Sequence, residues 1–271
     1  MYETTMLVSG ATDGIGLQTA LELARGGAQV LLHGRNQQRG QQAMRFIRDA
    51  VPGARLSYYP ADFSSLRQVR QLADDIRQDH QRLQVLVNYA GMFSKTRVLT
   101  EDGYELTFAV NHLAPFLLTL LLLDLLKASA PARIVMVASN AHRNLSEVDF
   151  DNLQGERTYD GYQAYALSKL GNILFSHALA RRLQGSAVSA NSLHPGVIDT
   201  KLLRMSYNTT GSSLEEGAQT SVYLAASQQA EGVSGRFFSR MAEKSPSDLA
   251  QDVDLQERFW DLSVQMVAPF M

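Results

Sequence analysis

Tyr165 and Lys169, four residues apart in Tyr165-Ala166-Leu167-Ser168-Lys169, are the pair with the clearest chemical potential in this sequence. On a helix, residues four apart share one face. A free tyrosine titrates at about pH 10 and is a poor base at neutral pH. A cation held beside it favours the phenolate, each tenfold gain in acidity corresponding to about 1.4 kcal/mol. Such a phenol protonates a developing alkoxide, or takes the proton in the reverse direction. The same spacing is common on ordinary amphipathic helices, so the pair gains meaning only from its surroundings.

A second group is Gly10-Ala11-Thr12-Asp13-Gly14-Ile15-Gly16, directly after the apolar run Met6-Leu7-Val8-Ser9. Glycines at such a junction let the backbone turn tightly and approach a pyrophosphate, whose charge a helix N-terminus stabilises. The spacing is G-x-x-x-G-x-G rather than G-x-G-x-x-G, and an ordinary strand-to-helix loop can carry three glycines too. Position adds weight, because the first strand-helix junction of a doubly wound sheet is where such a fold binds its ligand. After the second apolar run stands His33-Gly34-Arg35-Asn36, without an acidic residue. A carboxylate there would bond a ribose 2′-hydroxyl, whereas Arg35 offers a fork to a 2′-phosphate. The expected cofactor is therefore NADP(H).

These residues need a scaffold, and the hydrophobic pattern supplies one. Short apolar runs at 6–9, 29–33, 55–59, 83–88, 133–137, 188–193 and 235–238 read as strands. Helical spacing fills the intervals at 15–25, 37–50, 65–78, 103–129, 162–184 and 215–227. The alternation predicts an α/β, doubly wound parallel sheet of Rossmann type, with about seven strands in a single domain spanning 1–271. On this reading Ser139 ends the fifth strand, at the edge where ligands sit, and Asn111 lies within a long helix whose buried amide needs a partner.

Bulk composition narrows the functions. A net charge of -2 gives no general attraction to nucleic acid or anionic lipid. The chain has no cysteine, which removes disulfides, thiolate metal sites and a cysteine nucleophile. The six histidines show no metal-binding spacing, so no metal is expected, and no G-x-S-x-G elbow supports a serine hydrolase. The opening Met1-Tyr2-Glu3-Thr4-Thr5 has no signal-peptide character. The apolar stretch Leu113–Leu126 is short for a bilayer and carries Pro115 and Asp124, so a buried or interfacial helix is expected rather than a membrane span. A cytoplasmic protein is the expectation.

Together, Ser9–Gly16, Asp62, Asn88-Tyr89-Ala90-Gly91, Asn111, Ser139, Tyr165 with Lys169, and His194-Pro195-Gly196 resemble the short-chain dehydrogenase/reductase family over nearly the whole chain. Val110-Asn111-His112-Leu113, Ser139-Asn140-Ala141-His142, Phe150–Glu156 and Ala180-Arg181-Arg182-Leu183 are most similar to its retinol dehydrogenase and protochlorophyllide reductase branch. The resemblance implies a catalytic set of Asn111, Ser139, Tyr165 and Lys169. Ser139 would bond the substrate oxygen and Tyr165 would move the proton. Lys169 would bind the nicotinamide ribose and lower the tyrosine pKa, while Asn111 would hold a water in a proton relay. It implies a cofactor site of Gly10, Thr12, Asp13, Gly14, Ile15, Gly16, Arg35, Asn36, Asp62, Phe63, Asn88, Ala90, Gly91, Pro195, Gly196, Val197 and Thr200, together with Tyr165 and Lys169. Asp62 would meet the adenine, Asn88 the adenosine ribose region, and Pro195–Thr200 the carboxamide. One departure is Tyr89, where the family usually has a second asparagine.

Loops at 92–103, 143–163 and 200–213 are expected to wall the substrate, with Met92, Phe93, Leu202, Leu203, Met205 and Tyr207 as an apolar lining. The substrate is then a small, mostly apolar carbonyl compound or alcohol. His142 either touches it or is structural. The helices around Leu113–Leu126 and Tyr165 are where relatives pair, so a homodimer or tetramer is the expectation, with a monomer as the alternative. Two alternatives remain open: double-bond reduction or another tailoring reaction on the same scaffold, and NADP binding without turnover.

Overall fold

The computed structural model describes residues 4–206 and 210–271. Apolar runs too short for a helix become strands: β1 Thr5–Val8, β2 Gln29–Gly34, β3 Leu56–Pro60, β4 Val85–Asn88, β5 Ala132–Val137, β6 Val188–His194, β7 Phe237–Ser239 and β8 Ala242–Lys244. The helices are α1 Gly14–Arg25, α2 Gln37–Ala50, α3 Leu66–Asp79, α4 Leu106–Ala128, α5 Gly161–Arg182, α6 Lys201–Ser206, α7 Leu214–Ala226 and α8 Val253–Val267.

The strands form one sheet in the order β3-β2-β1-β4-β5-β6-β7-β8. All neighbours run parallel except β7 and β8. Chain order reverses between β1 and β4, which pair with Val8 opposite Val87. A crevice opens at such a switch point, outside the carboxyl ends of the strands. Successive strand residues face opposite sides. Leu7 therefore packs in the core under α3, α4 and α5, while Met6 and Val8 pack under α1, α2 and α7.

Two features depart from the sequence reading. The sheet has eight strands, and the last is an antiparallel edge joined to β7 through Arg240 and Met241, both at positive φ (53° and 58°). Ala242-Glu243-Lys244 is exposed and polar, so no apolar run announced it. The second is α8, which lies on α4 and α5. Phe259 and Trp260 pack against Phe108, Phe116 and Phe175, and Glu257 binds Arg181 and Arg182. Helix α8 thus covers part of α4 and α5 within the chain itself.

Helix α4 is long and apolar enough to cross a membrane, yet 78% of its most apolar window is buried against the sheet and its neighbours. Its regular hydrogen bonding is interrupted by a π-turn at Ala109–Leu113, which holds Asn111. Such single-turn insertions frequently occur at functional sites.

Candidate active site

The carboxyl edge of the sheet gathers nearly all the residues singled out above. Gly10 leaves β1 at φ +69°, and a Cβ there would lie 2.8 Å from Ala90 Cα, so only glycine lets this loop meet the one after β4. The Ser9 hydroxyl oxygen ties the two loops by accepting from the Tyr89 and Ala90 N–H groups at 3.0 and 3.1 Å. Asp13 caps α1, accepting from the Gly14 N–H at 2.9 Å.

Arg35 is exposed beyond β2. Asn36 caps α2 by accepting from the Arg39 N–H at 2.9 Å. The Arg39 guanidinium reaches Asp13 at 2.7 Å, and Lys201 Nζ meets the same carboxylate oxygen at 2.6 Å. Partial burial raises the Asp13 carboxyl, but hydrogen bonds from Lys201 and Gly14 and the two cations outweigh it and hold the group below its ordinary value. Arg39 and Lys201 were not anticipated. Arg39 stands one helical turn after Arg35 and was open to detection, whereas Lys201 lies 188 residues from Asp13 and has no local signal.

Beneath this cluster His33 stacks on Phe63 with ring centroids 4.2 Å apart, and its Nε2 lies 3.0 Å from the Ala61 carbonyl. Burial pulls His33 down to about 4, so it is a neutral spacer. The Phe63 side chain therefore belongs to the core. Asp62 accepts from the backbone and hydroxyl of Ser64, both at 2.9 Å. Asn88 donates to Thr119 Oγ1 at 3.0 Å and to Met136 Sδ at 3.1 Å, while its carbonyl oxygen is buried without a hydrogen bond.

At the other end, Asp160 opens α5 by accepting from the Tyr162 and Gln163 N–H groups at 2.8 and 2.9 Å. One turn later come Tyr165 and, a turn beyond, Lys169, whose Nζ lies 5.6 Å from the Tyr165 ring centroid. Lys169 is only 4% exposed and donates to the Val137 carbonyl at 3.1 Å. Burial pulls its pKa down to about 8. Asn172 donates to the same carbonyl at 3.2 Å. Asn111 grips Met92, accepting its N–H at 2.7 Å and donating to its carbonyl at 2.9 Å, and donates to Ser168 Oγ at 3.0 Å. A Cβ on Gly91 would lie 3.4 Å from both Asn111 Oδ1 and Lys169 Nζ, so this glycine separates the two polar groups.

Ser139 follows β5 and caps a short 3-10 turn, Asn140–Asn144, accepting from the Ala141 N–H at 3.2 Å. His142 lies 2.6 Å from the Ser139 carbonyl and accepts from the Ser247 N–H at 3.1 Å. It is fully buried, so its structural role holds and substrate contact does not. After β6, Gly196 takes φ +103° and Val197 is 55% exposed. Ile198 bridges to Ser212, and the Thr200 methyl comes within 3.9 Å of the Cβ position at Gly14, folding the Pro195–Thr200 segment toward the glycine loop.

Of the expected apolar lining, Phe93 packs against the rings of Tyr162 and Tyr165 at 5.1 and 6.2 Å, and Leu203 is buried. Tyr207 and the side chains of Leu202 and Met205 lie outside the described residues. A cavity of about 280 Å³ opens behind the 144–160 loop, bordered by Glu105, Phe108, Tyr159 and Leu167. It touches neither Tyr165 nor Ser139, so it is separate from this cleft. Among the described residues no cluster of metal-binding side chains occurs.

The residues present fit a nicotinamide dinucleotide. The α1 N-terminus faces the crevice through glycines, Arg35 is an exposed cation without an ion pair among the described residues, and Asn88 keeps a buried acceptor unused.

Comparison with known proteins agrees with this geometry. A family model described as short chain dehydrogenase matches residues 4–210. Human Retinol dehydrogenase 14 is 41% identical, the alignment covering 98% of this chain and 87% of that protein. The crystal structure of an uncharacterized protein from Mycobacterium paratuberculosis superposes with a TM-score of 0.80 at 30% identity, covering 98% of this chain and 93% of that one. A short chain dehydrogenase from Escherichia coli CFT073, solved as a complex with NADPH, gives a TM-score of 0.72 at 25% identity, covering 88% and 97%. With the glycine loop, the buried lysine and the π-turn asparagine on one sheet edge, and with this match over most of its length, the chain belongs to the short-chain dehydrogenase/reductase family of oxidoreductases.

Proposed function

We propose that this protein is an NADP(H)-dependent dehydrogenase/reductase that interconverts an apolar aldehyde or ketone and its alcohol, with Tyr165 as general acid and base. The observation that carries the proposal is the burial of Lys169 one turn from Tyr165, beside Gly91 and Asn111. A bound nicotinamide supplies or accepts the hydride. The protein's part is to orient it and to manage the proton. The α1 N-terminus and the Gly10–Gly16 loop hold the pyrophosphate, while Arg35, aided by Arg39, holds a 2′-phosphate. Ser139 donates to the substrate oxygen, and Tyr165 delivers its proton there as that oxygen gains negative charge. The Lys169 ammonium stabilises the phenolate left behind. Asn111, already fixed to Met92 and Ser168, is placed to order a water on the route by which Tyr165 regains its proton.

An apolar substrate is supported by Phe93, whose ring packs against Tyr165, and by relatives named retinol dehydrogenases. The test is NADPH absorbance in the presence of long-chain aldehydes, a retinoid aldehyde, ketones and enones. Oxidation with aldehydes or ketones, lost in Tyr165→Phe, is expected. Enone reduction with carbonyls untouched would replace this reading with double-bond reduction. Tight NADPH binding without any turnover would leave a binding protein.

A further inference from the structure

Tyr89 stands where this family usually has asparagine, and the fold shows where the extra bulk goes. The ring packs beside Ile15 of the glycine loop and Ile198 of the segment after β6, with Leu214 and Ala218 of α7 completing the cluster. The packing is tight: a Cβ on Gly217 would lie 2.9 Å from Ile198 Cγ1 and 3.2 Å from Ile15 Cγ2. The cluster brings together Ile15 and Ile198, which stand 183 positions apart in the sequence, and the segments that carry them both belong to the expected cofactor site. On the polar side, the Tyr89 hydroxyl is buried beside the Ser221 hydroxyl of α7. Burial raises the Tyr89 pKa, the Ser221 hydroxyl opposes that rise, and the Tyr165 phenol adds to it.

We propose that Tyr89 is a positioning residue whose ring braces Ile15 and Ile198 as one apolar wall, against which the nicotinamide end of the dinucleotide rests. The inference rests on the NADP(H) reading above. An asparagine at 89 leaves the two isoleucines without backing. The wall then relaxes, and the reacting carbon loses its registry with Tyr165. Misplacement of about 1 Å in a reacting pair can cost roughly a hundredfold in rate, so partial relaxation should cost roughly tenfold.

The experiment compares wild type, Tyr89→Asn and Tyr89→Phe, using NADPH and decanal as probes. NADPH emission on binding reports the surroundings of the nicotinamide without any turnover. Calorimetry gives its Kd, and 4-deuterated NADPH gives the isotope effect on kcat. Tyr89→Asn is expected to lose most of the emission gain, to lower kcat roughly tenfold with little change in KM for decanal, and to raise the isotope effect. Tyr89→Phe keeps the ring and should restore these values. Tyr89→Asn with wild-type emission, Kd and isotope effect would overturn the inference, as would a Tyr89→Phe loss as large as that of Tyr89→Asn. If Tyr89→Asn does not fold, Ile198→Ala opens the same wall and carries the same expectations. Failure of the wild type itself to bind NADPH would instead refute the cofactor reading, so the two failures are distinct.

Discussion

At the proposed adenosine end of the cleft the charged groups stand in water, while at the proposed catalytic end they are sealed inside the fold. Arg39, Asp13 and Lys201 have side chains 45%, 49% and 74% exposed, and their mutual ion pairs exchange partners at little cost. Lys169 and Asn111 are buried, and each is committed to a defined backbone or side-chain partner. The first arrangement suits recognition, because a ligand anion can replace Asp13 as partner without leaving a buried charge behind. The second suits catalysis, because a preorganised charge in a low-dielectric setting acts on a neighbouring phenol with little screening. On the proposed reading, selectivity for the cofactor is adjustable at the surface, whereas the proton chemistry depends on a charge that the fold carries at a cost.

The contrast is tested most severely at Tyr165. Tyr165→Phe should lower kcat by about 10²- to 10⁴-fold while NADPH affinity, read by calorimetry, stays close to wild type. Lys169→Met comes next. It should reduce turnover by roughly a hundredfold or more and yet stabilise the protein at neutral pH. The sign follows from the Lys169 pKa, depressed by burial from 10.5 to about 8. The folded state pays for the charged ammonium below pH 8, and that penalty disappears as pH rises through the unfolded value. Stability relative to Lys169→Met should thus rise by about 3 kcal/mol between pH 7 and 10.5, measured by denaturant titration. A flat difference would break the comparison, since the lysine would then be as well solvated as Arg39.

Smaller effects belong to the exposed end. Arg35→Ala should raise the NADPH Kd roughly tenfold and leave the NADH Kd unchanged, with the wild-type preference shrinking as salt is added. Equal use of both cofactors by the wild type would defeat the assignment. Smallest is Glu257→Gln on α8. Hydrogen bonds from Arg182 and then Arg181 pull Glu257 down to about 2, so its contribution is present above pH 4.5 and fades as pH falls toward 2. Both partners are about one-third exposed, so the loss at neutral pH should stay below about 1 kcal/mol in a thermal melt.

Much of this was legible in the residues. The parallel strands announced themselves as short apolar runs, and local motifs marked the glycine loop and the Tyr165–Lys169 turn, because each depends on neighbours within a few positions. The edge strand β8 was not legible, being polar and exposed. His142 was ambiguous until the fold showed it bonded between Ser139 and Ser247. Tyr89 was visible as a departure, but nothing local told which side its ring would take.

The sequence by itself determined the α/β fold class, the family and the identity of the chemical groups, since those follow from hydrophobic period and short-range spacing. Only the tertiary structure decided that Lys169 is buried against Val137, that Lys201 and Arg39 converge on Asp13, that α8 packs on α4 and α5, and that Tyr89 packs against the cluster of Ile15, Ile198 and Ala218. Burial, desolvation and contacts across a hundred or more residues arise when the chain closes on itself, and no local pattern encodes them.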